Sequence, residues 1–210
     1  MDSKTLLIGA DFSIAKPALS LYFNHKLYFA TFPQKVDNYT ETALLNAGVD
    51  VYNRNLDTVD TKAEDYIYQT TKRYTDLGLQ IWDYINTYDF NTCIFASEGL
   101  SYASRGNVTL ELSGAKYVLL STLYNHKIKD FYTFSPITIK STAGCAKKGM
   151  GKEDMINAFK KETPLNAFME MMQNDDSVFR KKSAYIHTID DIVDSYWCLK
   201  TLCKKIEVEL

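Results

Sequence analysis

The 210 residues suffice for one domain with a hydrophobic core, and a content of 46% hydrophobic and 24% charged residues excludes a disordered chain. A formal net charge of -2 gives no overall basic excess, so a nucleic-acid partner would have to bind a local basic surface. No apolar run approaches the roughly 18 residues of a membrane span, and the first residues lack a signal-peptide pattern. We therefore expect no membrane contact and a location in a reducing cytoplasm, which includes the cytoplasm of a virus-infected cell.

The first third of the chain predicts three strands followed by a loop. "TLLIGADFS" is a short apolar run that ends in a turn signal, which is typical of a buried strand. "PALSLYFN" and "KLYFATFP" alternate in polarity and predict two more strands that form an antiparallel meander with the first. Residues 34–62 are polar and have no sustained period, so we interpret them as a loop excursion from the domain.

The rest of the chain alternates helices and strands. Amphipathic spacing predicts helices in "KAEDYIYQTTKRYTDLGLQIWDYINTY", "NVTLELSGAKYVLLSTLYNHK" and "HTIDDIVDSYWCLKTLCKKIEVEL", the last with a stripe that reaches Ile206. "NTCIFASEG" predicts a central parallel strand, "FYTFSPITIK" a fifth strand, and "STAGCAKKGMGKEDMINAFKKE" a loop with Gly and Lys that enters a helix. No pattern assigns an element to residues 163–182. The order predicts one α/β domain over residues 1–210, with a five-stranded mixed sheet flanked by helices.

Four acidic residues lie where an apolar element ends or begins: Asp11, Glu98, Asp191 and Asp194. Singly, each has an ordinary explanation, since an acid at a helix start is commonly a cap or a partner of the helix dipole. Together they favour a shared site, because functional groups gather beyond the carboxyl ends of strands in open α/β sheets. Clustered carboxylates repel one another and require a cation, and hard oxygen ligands favour Mg2+ or Mn2+. Two such ions could activate a water and stabilise the leaving oxygen of a phosphodiester.

These motifs resemble those of the RuvC-type Holliday junction resolvases in the ribonuclease H-like superfamily. The resemblance rests on "LLIGADFS", "IFASEG", "DDIVDSYWCL" and "EGLSYASRGNVTLELSGAKYVLL", and it covers most of the chain in element order. It implies a ribonuclease H-like fold and a metal-dependent endonuclease, usually a homodimer, that cleaves four-way or other branched DNA junctions with two Mg2+ or Mn2+ ions. It also implies the catalytic residues and metal ligands, which are Asp11, Glu98, Asp191 and Asp194.

Asp190 competes with Asp191 for the role of ligand, because it could pair with Asp194 at a spacing of four residues. The resembled family spaces its pair by three, which favours Asp191. His187 lies close to both and could assist a metal-bound water, although a capping or surface role is more common for such a histidine.

The sequence departs from the family's pattern near two of the acids. Phe12 and Ser13 follow the first acid, where the family usually has Gly or Pro. Ser101 occupies the position of an aromatic residue that probes the junction centre, and its neighbour Tyr102 is the candidate to stack on an unpaired base. These departures, with longer segments from residues 34 and 163, favour a viral or otherwise divergent member.

Lysines in the loop and helix start after the fifth strand predict contact with DNA phosphates, since a loop with Gly can approach a backbone closely. They are Lys140, Lys147, Lys148 and Lys152. Of the four, Lys140 and Lys152 best match the position of the lysines that contact DNA in the resembled family. The alternative for all four is that they are solvent-exposed loop residues without a DNA contact. The loop does not predict a nucleotide cofactor, because Glu153 stands where a phosphate-binding loop has Ser or Thr.

Several alternatives stay open at this point. A non-catalytic protein that binds branched DNA or serves recombination or packaging assembly would share the fold without turnover. Basic residues 180–182 are more typical of a solvated face than of a DNA contact. The helix over residues 107–125 is the family-based candidate for the dimer surface, and burial of Gly114 and Ala115 within their own subunit is the alternative. The scattered Cys and His residues do not predict a zinc site.

Overall fold

Six strands form one mixed sheet in the computed structural model. The structure describes residues 4–13, 15–54, 64–99, 107–126, 128, 130–181 and 184–210, and only the backbone of residues 107–111. The strands are β1 (Thr5–Asp11), β2 (Ala18–Phe23), β3 (Lys26–Thr31), β4 (Val49–Val51), β5 (Thr92–Glu98) and β6 (Asp130–Phe134). Their order across the sheet is β4-β3-β2-β1-β5-β6. β1, β2 and β3 form an antiparallel meander, and β5 is parallel to β1 and β6. The predicted meander and the predicted central parallel strand are thus confirmed.

Helices cover both faces of the sheet. They are α1 (Asn38–Asn46), α2 (Tyr66–Ile85), α3 (Asn107–Asn125), α4 (Pro136–Thr142), α5 (Lys152–Phe159), α6 (Ala167–Asn174) and α7 (His187–Lys205). α2 and α3 pack together on one face, and α7 lies against β1 and β2 on the other, with α4 and α5 beside it. Successive residues of β1 serve the two cores, since Leu6 and Ile8 lie in the core under α2 and α3 and Leu7 lies in the core under α7.

α7 lies against the sheet with almost no space between the two backbones. A Cβ atom on Gly9 would stand 2.2 Å from the backbone nitrogen of Leu199 and 2.4 Å from the carbonyl oxygen of Ser195. The buried hydroxyls of Ser20 and Ser195 are hydrogen-bonded at 2.7 Å, which joins β2 to the same helix. Glycine and serine therefore allow α7 to cross β1 and β2 at contact distance, and this fixes where the start of α7 lies relative to the end of β1.

The segment interpreted as a loop excursion, residues 34–62, contains an additional helix and strand, so that prediction was wrong for residues 38–51. α1 begins after Asp37, whose carboxylate accepts a hydrogen bond from the backbone N–H of Thr40 at 3.0 Å. β4 then pairs with β3 in parallel and makes the sheet six-stranded rather than five-stranded. Residues 55–62 of the excursion lie outside the described residues.

The stretch "FYTFSPITIK" is not one strand, which corrects a second prediction. β6 ends at Phe134, and α4 begins at Pro136 with Ser135 as its N-cap. The Ser135 side chain accepts a hydrogen bond from the backbone N–H of Thr138 at 3.3 Å. The helix predicted after the loop with Gly and Lys is confirmed as α5, with Glu153 and Asp154 in its first turn.

Ion pairs hold the segment between α6 and α7, for which the sequence predicted no element. A short 3-10 helix (Ser177–Phe179) leads into a hairpin of β7 (Arg180–Lys181) and β8 (Ala184–Tyr185). Arg180 pairs with Asp176 at 3.1 Å, and Lys181 pairs with Asp37 at 2.6 Å, whereas Lys182 lies outside the described residues. Two of the three basic residues at positions 180–182 therefore form ion pairs within the chain. Among the described residues, no helix has the length and apolar character to cross a bilayer.

Candidate functional site

The four acids predicted from the sequence line one cavity of about 650 Å3 at the carboxyl edge of β1 and β5. Asp11 ends β1 and Glu98 ends β5, and these two strands are adjacent and parallel. Asp191 and Asp194 come from the first turns of α7, which the close contact at Gly9 holds over the same edge. Three elements far apart in the sequence thus bring four carboxylates to one place.

The surroundings of these carboxylates disfavour their charged forms. Burial raises the pKa of Asp191 to about 7 and that of Asp194 to about 6. Burial also raises the pKa of Asp11 well above its ordinary value, and repulsion from Asp191, Asp194 and Glu98 adds to it. The pKa of Glu98 is raised by burial as well. These four acids gain too little positive charge from the protein to offset burial and mutual repulsion, which is typical of a site for an added cation.

The donor set agrees in chemistry with a divalent ion, since four carboxylates supply the hard oxygen ligands that Mg2+ and Mn2+ prefer. Among the described residues, however, no group of three or more His, Cys, Asp or Glu side chains is arranged to hold a metal ion as it stands. The carboxylates share a cavity and repel one another, and they would have to converge further to coordinate an ion. The site therefore fits the chemistry of a metal centre and not yet its final geometry.

Asp191, rather than its neighbour Asp190, reaches the cavity. Asp190 is instead engaged by Lys152, with 3.4 Å between Nζ and Oδ2. His187 lies 3.8 Å from Asp190 through Nδ1, and its side chain is 85% exposed and does not line the cavity. The three-residue spacing of Asp191 and Asp194 thus places both carboxylates on the face of α7 that meets the ends of the strands.

Two of the predicted DNA-contacting lysines, Lys140 and Lys152, line the same cavity as the acids. Burial acts to lower the pKa of Lys152, but Asp190, Asp194 and Asp191 outweigh burial and raise it, so the ammonium stays charged beside the carboxylates. Lys147 and Lys148 are exposed on the loop before α5 and do not line the cavity. Tyr102, the candidate for base stacking, lies outside the described residues.

α7 also supports the helices that carry these two lysines. The Trp197 Nε1–H donates to the carbonyl oxygen of Met155 in α5 at 3.1 Å. The Thr201 hydroxyl is hydrogen-bonded to that of Thr142 in α4 at 3.0 Å. The acids of α7 and the lysines of α4 and α5 are consequently held by one helix.

Lys116 in α3 is a site residue that the sequence analysis missed. Only 8% of its surface is exposed, and its Nζ donates a hydrogen bond to the carbonyl oxygen of Glu98. Burial lowers its pKa, while Cys198, Glu98 and Asp11 act in the opposite direction. The available signal was a lone lysine between the apolar positions Ala115 and Leu119 of the predicted helix.

The unexpected Phe12 after the first acid packs against the sheet. Its ring stacks on that of Phe95 in β5, with 5.6 Å between the centroids. Phe12 and Ser13 both line the cavity. The aromatic residue in place of Gly or Pro therefore closes one wall of the site between β1 and β5.

No protein-family model and no curated protein matches this sequence. Among solved structures, RuvC of Thermus thermophilus in complex with a Holliday junction substrate matches over 96% of both chains, with a TM-score of 0.53 and 9% sequence identity. The chain has the RuvC fold. Another structure of Thermus thermophilus RuvC matches over 97% of both chains, with a TM-score of 0.50 and 10% identity. The yeast mitochondrial Holliday junction resolvase Ydc2 matches over 94% of this chain and 77% of its own, with a TM-score of 0.48 and 12% identity.

The predicted resemblance to RuvC-type resolvases is thereby confirmed at the level of the fold, as is the ribonuclease H-like class of the mixed sheet with its flanking helices. The match to RuvC extends over 96% of this chain. At an identity near 10%, the likeness to RuvC is one of fold, and few individual residues are shared.

Proposed function

We propose that this protein is a metal-dependent endodeoxyribonuclease that cleaves branched DNA, with four-way junctions as its main substrate. The observation that carries the proposal is the convergence of Asp11, Glu98, Asp191 and Asp194 on one cavity at the carboxyl edge of a RuvC-like sheet. The fold alone would not support an activity, because one fold serves many functions. The acids, their raised pKa values and the flanking lysines supply the chemical argument.

In this proposal the four carboxylates hold two Mg2+ or Mn2+ ions, which when bound would activate a water and stabilise the leaving oxygen of the phosphodiester. Lys140 and Lys152, at the wall of the cavity, attract the DNA phosphates on either side of the scissile bond. Lys147 and Lys148 extend the basic surface from the exposed loop, and Tyr102 stacks on a base at the junction. The catalytic residues are those that touch the ions, Asp11, Glu98, Asp191 and Asp194.

The preference for junctions is supported by one of the matching structures, in which RuvC is bound to a Holliday junction. A junction has two symmetric scissile positions, so we also propose a homodimer. Four exposed residues form one stripe of α3, and none of these four carries a charge, which suits a surface between two copies; they are Gly114, Tyr117, Ser121 and Tyr124. Ala115 faces its own subunit instead and is buried near Tyr74 and Leu77.

A junction-binding protein without turnover is the second candidate function. It is favoured by the observation that no group of acids among the described residues is arranged to hold an ion as it stands. Retention of all four carboxylates in one cavity argues for the enzyme, because a binding protein would have no use for their mutual repulsion.

Cleavage of a labelled four-way junction in Mg2+ or Mn2+ distinguishes the two candidates. We expect the intact chain to nick the junction, and Asp11→Asn to lower the rate at least about 100-fold while junction binding is retained. Asp89→Asn is the matched control, since Asp89 is exposed and pairs with Lys4 away from the cavity. Binding by the wild type without nicking at any ion concentration would establish the binding protein. Equal rates on linear duplex would contradict the preference for junctions.

A further inference from the structure

The surroundings of Lys116 make the burial of its charged side chain energetically unfavourable. It lies in α3 between the apolar Ala115 and Leu119, and Phe12 and Ser13 line the same small cleft. A buried ammonium is unfavourable unless it finds acceptors, because it loses its hydration. Its acceptor is the backbone carbonyl of Glu98, which belongs to β5.

That carbonyl lies where β5 loses one of its two neighbours. The pairing of β1 with β5 ends at Ala10 opposite Ser97, one residue before Glu98. On the other side, Glu98 still pairs with Phe134 of β6, and the N–H of Gly99 donates to the Phe134 carbonyl at 2.6 Å. Successive residues of a strand point their hydrogen-bonding groups to opposite sides, so the Glu98 carbonyl faces the β1 side.

The Lys116 ammonium therefore donates a hydrogen bond to the Glu98 carbonyl at the position where a longer β1 strand would supply a backbone N–H. β6 holds the end of β5 from one side and the ammonium of Lys116 holds it from the other. The carboxylate of Glu98 projects into the acid cavity from this doubly held backbone. A small rotation of the strand end would move that carboxylate relative to Asp11 and the acids of α7.

We propose that Lys116 is a positioning residue that fixes the end of β5, so that Glu98 is preorganised to bind a divalent ion with the other three acids. This inference rests on the metal site of the proposed function. It predicts that Lys116 acts on ion affinity through Glu98, and that it does so without touching the DNA or the ion.

The test measures Mn2+ binding by calorimetry on the intact chain without DNA, for wild type and for Lys116→Met, which keeps the length and removes the donor. We expect Lys116→Met to weaken Mn2+ binding roughly tenfold, the scale of lost support around a ligand, and Lys116→Arg to retain most of the affinity. Lys72→Met is the control, because Lys72 is exposed on α2 and should leave Mn2+ affinity unchanged.

A double-mutant cycle separates positioning from general stability. In the Glu98→Gln background, Lys116→Met should have little further effect on Mn2+ affinity, because its route to the ion is already removed. Should Lys116→Met fail to fold, Lys116→Gln gives the same comparison, since its shorter side chain falls short of the carbonyl.

The outcomes distinguish this inference from the nuclease proposal. A lower melting temperature of Lys116→Met with wild-type Mn2+ affinity would overturn the positioning role. Wild type that binds no Mn2+ would overturn both proposals. Wild type that binds Mn2+, with the expected weakening in Lys116→Met but no cleavage of any junction, would support the positioning role and overturn the nuclease.

Discussion

At the scale of single residues, the buried carboxylates make the metal-free fold sensitive to pH. Asp191 has a pKa of about 7 in the folded chain, whereas an unfolded chain would restore its ordinary value near 4. Between about pH 4 and pH 7 the folded state therefore binds a proton that the unfolded state releases. The free energy of unfolding consequently falls as pH rises through this window, and Asp194 acts in the same direction.

We predict that the metal-free protein melts a few degrees higher near pH 5.5 than near pH 7.5, and that Asp191→Asn raises the melting temperature near pH 7.5. Calorimetry in chelator checks both. The pKa of Asp37 is lowered to about 2, mainly by its hydrogen bond from Lys181, so its contribution to the stability of the fold is lost only at more acid pH. Asp89→Asn should melt like the wild type. A melting temperature independent of pH in this range would contradict the repulsion among the acids.

The residues of the site were predictable to different degrees. The four acids could be predicted because each lies at the end of an apolar run, a position that the sequence displays directly. Asp191 was preferred to Asp190 by the spacing of the resembled family, and the cavity lining agrees with that choice. Lys116 could not be predicted in the same way, because lysine is ordinarily exposed and its acceptor is a backbone atom 18 residues away.

At the scale of elements, the contact between α7 and β1 decides whether the acids meet. We predict that Gly9→Ala destabilises the fold by about 3 kcal/mol or more, because its Cβ would overlap the backbone of α7. Gly151→Ala is the matched control, since a Cβ there meets no atom within 4 Å and the extended φ of -129° suits any residue, so the loss of a glycine N-cap should cost at most about 1 kcal/mol. Denaturant unfolding of both variants checks this. Similar stabilities would show that α7 can move away from the sheet.

Element prediction failed where short-range signals competed. The residues of "SPITIK" include three β-branched side chains that favour a strand, yet Ser135 followed by Pro136 is a helix start and prevails. α1 and β4 were missed because a nine-residue helix and a three-residue strand are too short to establish a period. The longer helices α2, α3 and α7 were predicted correctly since their apolar stripes extend over several turns.

At the scale of the whole molecule, the exposed stripe of α3 predicts the oligomeric state. We expect a dimer at micromolar concentration, and we expect Tyr117→Glu to yield monomers, because it would place a charge among the uncharged exposed residues Gly114, Ser121 and Tyr124. Sedimentation velocity measures this directly. Leu45→Glu, on the exposed face of α1, should leave the dimer intact. A monomeric wild type would exclude α3 as the contact between copies.

The overall architecture was predictable because it depends on which segments are buried and in what order they follow. Apolar runs such as β1 and β5 identify the centre of the sheet by their length and composition alone. The relative placement of helices was not predictable from such patterns, because it depends on contacts like that of Ser20 with Ser195, which are 175 residues apart.

The attachment of α4 and α5 to α7 gives the lysines and the acids of the cavity a common support. Trp197 and Thr201 tie the lysine-bearing helices to the helix that carries Asp191 and Asp194. A shift of this one helix would displace the lysines proposed to bind DNA together with the acids proposed to bind the metal ions. Under the proposed function, substitutions that move α7 are therefore expected to alter DNA affinity and cleavage rate together, whereas substitution of the acids should lower the cleavage rate and leave binding in place.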